Sequence, residues 1–267
     1  MAERIAIFLP SFGMGGVARM MVNLAGGMMS AGHTVDLVVR ADAGLPFLPP
    51  PNPGFRVIAL ASARPKEIEK RLCAYLAEAC PRVLLSARMK NGHETAVLAC
   101  RQAGGKTRVF LRIATHMTRR GRNQNLYKRW REKRSLARAV RQADGVIAVS
   151  GGVAADLAGI AGISPKNIHV LPNPVVSDDL YRLAAEPLRH PWFAAGEPPV
   201  ILGAGGFRNQ KDFLCLIEAF ARVRKKVKAR LVILGKGRLQ AKMRQLADRL
   251  GVSSDMQLPG FVENPYP

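Results

Sequence analysis

The amino-acid sequence predicts an α/β chain with parallel sheets, arranged in two units of which the second is the smaller. Three observations carry that prediction. Short β-branched or apolar runs alternate with longer stretches of helical periodicity. The short runs are largely apolar rather than alternating with polar residues, as strands covered on both faces are. The alternation is broken once, by a proline-punctuated segment, and then begins again.

In chain order, the predicted strands are Arg4–Leu9, Val35–Val39, Arg56–Leu60, Arg82–Ser86, Thr107–Arg112, Gly145–Ser150 and Asn167–Leu171. Predicted helices lie between them at Val17–Ala31, Pro65–Ala79, His93–Ala103, Gln124–Ala143 and Val153–Ala161. Strands separated by helices pair in parallel through right-handed crossovers, so residues 1–175 read as a Rossmann-like domain. Pro187, Pro191, Pro198 and Pro199 punctuate a stretch without periodicity, and residues 176–198 read as a linker. The second alternation runs strand Val200–Gly203, helix Lys211–Arg224, strand Arg230–Leu234, helix Leu239–Leu250 and strand Met256–Leu258. It covers residues 199–267, roughly 70 residues against roughly 100–150 for an ordinary domain. The expectation is therefore an incomplete second domain, in a chain truncated at its C-terminus.

Composition narrows the chemistry. Of 267 residues, 48% are hydrophobic and 22% charged, which suits a globular chain with a substantial core. Aromatics at 6% argue against a fold built on stacking platforms. Forty-one Lys and Arg against 19 Asp and Glu give a formal charge of +22. Such a field attracts nucleic acid, acidic membrane surfaces or phosphorylated substrates, and charge alone does not choose among them. Cys73, Cys80, Cys100 and Cys215 form no Cys-x-x-Cys pair and no metal-ligand spacing, so no metal site is expected and the thiols read as reduced. The apolar run Ile5 to Leu9 is too short for a signal peptide, and no stretch reaches the roughly 18 apolar residues of a membrane span. A cytoplasmic protein, peripheral at the inner face of the cell membrane, is expected.

Four segments are candidates for function. The turn Gly13-Met14-Gly15-Gly16-Val17-Ala18-Arg19 follows the first strand and opens a helix, a geometry that points N–H groups at an anion. It is not a dinucleotide fingerprint, because the third glycine of that spacing is missing at Ala18. Ala204-Gly205-Gly206-Phe207-Arg208-Asn209-Gln210-Lys211-Asp212 repeats the geometry in the second unit, with Lys211 as an added point charge. Both loops stand where open α/β sheets bind ligands, at the carboxyl ends of strands, and they are expected to share a cleft. The stretch Arg119 to Arg141 carries ten basic residues against Glu132 alone, with Leu126, Trp130, Ala137 and Val140 near one helical face. It reads either as a solvated face or as a contact for membrane or phosphorylated acceptor through Arg129, Arg131 and Arg134. Nucleic acid is disfavoured, because no reader motif accompanies the charge. His116 follows a central strand and points toward the expected cleft.

Together these segments resemble the retaining GT-B glycosyltransferases of family four, across essentially the whole chain. The resemblance rests on the Gly15-Gly16 turn, Ala31-Gly32-His33-Thr34-Val35, Asp144 to Ser150 and Val170-Leu171-Pro172-Asn173-Pro174. It continues through Gln210-Lys211-Asp212-Phe213, Leu231 to Gly237 and Pro259-Gly260-Phe261-Val262-Glu263-Asn264. It implies sugar transfer from a UDP- or GDP-linked nucleotide sugar, with retention, to a glycan, lipid-linked or lipopolysaccharide-type acceptor, and no cofactor. It also implies that Gly15 and Gly16 meet donor diphosphate or acceptor, His116 the transferred sugar, Lys211 the diphosphate and Val262 the nucleotide base. Ser150 reads as a helix cap. The family's arginine five residues before the lysine is Gly206 here, and Arg208 is the nearby candidate to replace it. The family's Glu-x7-Glu element is expected beyond Pro267. No Asp-x-Asp occurs, so cationic and backbone donors are expected on the diphosphate in place of a metal ion. The competing reading is a non-catalytic remnant or anion-binding module.

Overall fold

The fold was described from a computed structural model, which describes residues 2–10, 16–40, 48, 52–62, 64–87, 92–120 and 125–267. The chain forms two compact units, Met1–Val175 and Val176–Pro267.

The first unit runs β1 (Arg4–Leu9), α1 (Gly16–Ser30), β2 (Thr34–Val39), β3 (Phe55–Ala59), α2 (Pro65–Ala79), β4 (Val83–Ser86) and α3 (Gly92–Gln102). It continues with β5 (Arg108–Ile113), α4 (Met117–Arg120), α5 (Leu126–Gln142), β6 (Gly145–Ala148), α6 (Gly151–Ala161) and β7 (Ile168–Val170). The seven strands form one parallel sheet in the order β3-β2-β1-β4-β5-β6-β7. The order reverses between β1 and β4, which makes their carboxyl ends the topological switch point of this sheet. Ile7 is flanked by Leu37 on one side and Leu85 on the other.

Apolar residues on the two sheet faces build separate cores. Ala6, Phe8, Leu84, Leu111 and Val146 pack with α2, α3, α5 and α6 through Leu72, Leu76, Val97, Val140 and Leu157. Ile7, Leu9, Leu37, Val39 and Leu85 pack on the opposite face with Ala18, Met21 and Ala25 of α1. This two-sided burial explains why the strand runs are continuously apolar.

Local chemistry sets the helix limits. Pro65 opens α2, where a missing N–H costs nothing, and Glu67 stands in the first turn beside Arg71 at 3.0 Å. The helix ends at Cys80, in the left-handed region at φ 42°, whose N–H donates to the Leu76 carbonyl at 3.1 Å. Ser150 caps α6, its hydroxyl accepting from Val153 N–H, and Gly162 closes that helix at φ 64°. Asp36 of β2 is buried among these elements. Asp36 is 1% exposed and accepts from Arg56 Nε at 2.8 Å, Arg56 Nη2 at 2.7 Å and the Tyr75 hydroxyl at 2.7 Å. Burial pushes its carboxyl up, but the bonds from Arg56 and Tyr75 outweigh that and hold it below the usual carboxylate range.

The second unit contains α7 (Asp178–Ala184), β8 (Val200–Ala204), α8 (Phe213–Arg224), β9 (Arg230–Leu234), α9 (Gln240–Arg249) and β10 (Met256–Gly260). Its three strands are parallel in the order β10-β9-β8. Phe213, Ile217 and Phe220 of α8 and Met243 and Ala247 of α9 cover Leu231 and Ile233 on one face. Residues 176–198, read from sequence as a linker, lie within this unit. Asn264 Nδ2 donates to the Leu183 carbonyl at 2.9 Å, and the His190 ring bonds Gln257 Oε1 at 3.0 Å. The proline content hid α7 because it breaks up any periodicity over the surrounding stretch.

Candidate functional site

Each sheet presents its candidate residues at the carboxyl ends of its strands. In the first unit, Gly16 is the first residue of α1 and an added Cβ there would meet nothing within 4 Å. Gly15 lies outside the described residues.

His116 stands three residues past the end of β5, with its side chain 34% exposed. Its Nδ1 is 3.2 Å from Asp156 Oδ2 on α6, and that carboxylate is only 6% exposed. Asp156 also accepts from the backbone N–H groups of Met117 at 2.6 Å and Thr118 at 3.2 Å. Burial pushes the Asp156 carboxyl up, but bonds from Thr118 and Met117 with the nearby His116 more than offset this and lower it. The carboxylate thus fixes both the short helix α4 and one ring nitrogen of His116. The sequence reading missed Asp156, because forty residues separate it from His116 and nothing in spacing connects a mid-helix aspartate to a loop histidine.

Deeper at the same strand ends lies a second polar group that was not anticipated. Ser86 Oγ and His93 Nδ1 are 2.8 Å apart, and both residues are buried. Burial, with the neighbouring Arg112 guanidinium, pulls the His93 imidazole down to about 4, so it is neutral at physiological pH. Arg112 is 5% exposed and donates from Nη2 to Asn173 Oδ1.

In the second unit, Arg208 and Lys211 follow β8 and are both exposed. The sequence placed Lys211 on the first turn of a helix. Instead residues Asn209–Lys211 form a single 3-10 turn, and α8 begins only at Phe213. The break is Asp212, held in the left-handed region at φ 51°, which no α-helix accommodates. Lys211 consequently sits on the loop with its stem across Gly205, where an added Cβ would stand 3.1 Å from Lys211 Cε. Gly205 itself adopts φ 154°, which favours glycine. Val262 lies two residues past β10 and is 37% exposed.

Glycines let these strand ends close on one another. A Cβ at Gly235 would come within 2.0 Å of the Gly205 carbonyl oxygen, and one at Gly237 within 2.6 Å of the Phe207 carbonyl oxygen. The resulting floor is backbone packed on backbone, held by Gly205 N–H to Leu234 O at 2.9 Å and Gly235 N–H to Gly260 O at 2.7 Å.

Arg129, Arg131 and Arg134 lie on α5. Arg134 stacks its guanidinium over Trp130 at 5.3 Å, and Tyr127 stacks on Trp130 with centroids 6.2 Å apart. The expected apolar face is only partly buried. Leu136, Ala137, Ala139 and Val140 pack inward, but Leu126 is 79% and Trp130 54% exposed. Only the second half of α5 meets the core, so its first turns carry apolar and cationic side chains together into solvent. A groove of about 410 Å³ runs along this flank, lined by Trp130, Lys133, Arg134, Arg138 and Arg141 with Ile160 of α6. Among the described residues, no group of three His, Cys, Asp or Glu could hold a metal ion, and no helix is long and apolar enough to cross a membrane.

Two parallel sheets with glycine-rich strand ends make up an α/β fold of the GT-B class. The family described as Glycosyltransferase Family 4 matches residues 14–179, and Glycosyl transferases group 1 matches residues 185–266. The chain belongs to glycosyltransferase family 4. It is 27% identical over 276 residues to the Campylobacter jejuni N-acetylgalactosamine-N,N'-diacetylbacillosaminyl-diphospho-undecaprenol 4-alpha-N-acetylgalactosaminyltransferase, covering 99% of this chain and 71% of that protein. In fold it is similar to Anabaena HepE in complex with UDP and glucose, with a TM-score of 0.71, 14% identity, and 98% of this chain and 70% of that one covered. It is likewise similar to sucrose-phosphate synthase of Thermosynechococcus elongatus, with a TM-score of 0.73, 16% identity, and coverage of 99% and 72%.

Proposed function

We propose that the chain transfers a sugar, with retention of configuration, from a UDP- or GDP-linked nucleotide sugar to a lipid-linked glycan acceptor at an anionic membrane surface. The observation that carries this reading is the end of the second sheet, where Lys211 lies across Gly205 on a floor of close-packed backbone. As the bond from the anomeric carbon to the phosphate oxygen breaks, negative charge builds on the departing diphosphate. Lys211 and Arg208 are the cations that oppose it, without a resident cofactor. In the first unit His116, oriented by Asp156, attends the transferred sugar, and the Gly16 turn meets phosphate or acceptor. Val262 backs the nucleotide base.

The acceptor class is supported from two sides. The Campylobacter relative is named for a diphospho-undecaprenol-linked acceptor. On α5, Arg129, Arg131 and Arg134 accompany exposed Leu126, Tyr127 and Trp130, a combination suited to an anionic interface. The protein in this reading works peripherally, on the inner face of the cell membrane.

The test is turnover of labelled UDP- and GDP-sugars with an undecaprenyl-diphosphate-linked sugar acceptor, with the anomeric configuration of the product read by NMR. Lys211→Met is expected to lower kcat by about 100-fold. A chain that binds no nucleotide and turns over no donor defeats the proposal. One residue favours a second reading, an anion-binding module without transfer. Gly206 stands where the family's arginine is expected. Nucleotide binding with no turnover of any donor would identify that module.

A further inference from the structure

Three strands end at the glycine floor of the second unit, and three cations approach it, two from the loop after β8 and one from the loop after β9. Lys211 follows β8 and crosses Gly205, with its Cε 3.1 Å from the position of an added Cβ. Lys236 follows the central strand β9, in Gly235-Lys236-Gly237, and its Cε lies 3.3 Å from an added Cβ at Gly260, the last residue of β10. Arg208 turns back over Gly206, its Nε 3.6 Å from an added Cβ there.

The Lys236 backbone is fixed more firmly than an ordinary loop lysine. Its carbonyl accepts from Phe207 N–H at 3.0 Å, and Phe207 is fully buried. Gly235 and Gly237 on either side have no room for a Cβ against the Gly205 and Phe207 backbone. The side chain is exposed, and among the described residues neither Lys236 nor Arg208 pairs with a carboxylate. Mutual repulsion among three cations held on one small floor is unfavourable unless an anion takes it up.

We propose that Lys236, together with Arg208, completes the diphosphate seat by supplying the positive charge that Gly206 withholds. The proposal rests on the nucleotide-sugar reading above. It makes Lys236 a donor-phosphate ligand and explains how the loop after β8 functions without an arginine at 206. Each lysine lays its stem against a glycine because any larger residue would push the ammonium off the floor. Arg208 lies alongside position 206 at ordinary contact distance.

The test is isothermal titration of the full chain with UDP and GDP, and with uridine and guanosine as phosphate-free controls. Lys236→Met should weaken whichever nucleotide binds by about tenfold, the order expected for one charged hydrogen bond, and leave the nucleoside unchanged. Gly206→Arg provides the second arm. An added Cβ at 206 makes only ordinary contacts, the nearest at 3.6 Å, so the variant is expected to fold. In a Lys236→Met background it should recover most of the lost affinity, which a merely structural role for Lys236 would not permit. Unchanged nucleotide affinity in Lys236→Met, equal weakening of nucleotide and nucleoside, or absence of rescue would each overturn the proposal. If the unmodified chain binds neither UDP nor GDP, the nucleotide-sugar reading falls and takes this proposal with it. That outcome is distinguishable, because it appears before any substitution is made.

Discussion

Asp156 holds two things at once, the N–H groups that open α4 and the Nδ1 of His116. Separating the two roles is a matter of choosing the substitution. Asn keeps an acceptor for Met117 and Thr118 but removes the charge beside the imidazole, whereas Ala removes both. Asp156→Ala is expected to lower kcat between about 10- and 100-fold with little change in donor KM, by letting the ring leave its working orientation. Asp156→Asn should fall between the two while keeping the thermal midpoint of the parent. Steady-state kinetics with matched melting curves check this, and undiminished turnover in Asp156→Ala would remove His116 from the site. At this scale the sequence was partly legible. Lys211 announced itself through the glycines before it, but its partners did not. Asp156 and Lys236 acquire meaning only when a helix and a second strand end are folded beside them.

At the scale of elements, the loop between β9 and α9 and the exposed half of α5 make opposite demands. The loop tolerates nothing: Gly235→Ala meets the Gly205 carbonyl at 2.0 Å and requires φ 135° of a residue with a side chain. It is expected to cost about 3 kcal/mol or more and to abolish nucleotide binding, checked by chemical denaturation and titration on the same preparation. The first turns of α5 tolerate much, because Leu126, Tyr127 and Trp130 touch solvent. Trp130→Ala, or Arg129, Arg131 and Arg134 replaced together by Gln, should leave stability within about 0.5 kcal/mol yet sharply reduce co-sedimentation with anionic vesicles. Equal sedimentation of parent and variant on anionic and neutral lipid would remove the membrane contact. The helical period of α5 was plain in the sequence, but not that its apolar stripe changes surroundings halfway along. Periodicity reports which residues share a face and not what stands opposite. The same limit explains Asp212, whose left-handed backbone ends a helix that propensity alone would have carried back to Lys211.

For the whole molecule, acid should be the weak direction. His93 is held neutral at about 4, below the ordinary histidine value of 6.5. The unfolded chain therefore takes up a proton that the folded one refuses, and stability is lost as pH falls from about 6.5 toward 4. A difference of that size is worth about 3 kcal/mol. Asp36 and Asp156, both lowered in the fold, extend the loss once pH passes below the ordinary carboxylate range. Denaturation midpoints measured from pH 7 to 4 should slope downward in the parent and less steeply in His93→Gln, and parallel slopes would show that His93 is not the group responsible. The strands of both sheets are short runs rich in Ile, Val and Leu set apart by helices, which is why the α/β class was readable at once. The buried polar groups were not readable. Their cost and their use both depend on neighbours that come from distant parts of the chain.

The order in which the strands pair also dictates how the chain can assemble as it leaves the ribosome. β1 lies between β2 and β4, so the earliest strand made stays half-bare until residue 86 has emerged, and the sheet closes only with β7 at Val170. The three strands β8, β9 and β10 all come after that point, between Val200 and Gly260. No strand of either sheet waits for a partner from the other, so the N-terminal fold can finish before its successor starts. Synonymous codons that slow translation once Val176 has cleared the ribosome should therefore raise the yield of native chain more than a pause that holds Ser86 back, which would prolong the life of a half-paired β1.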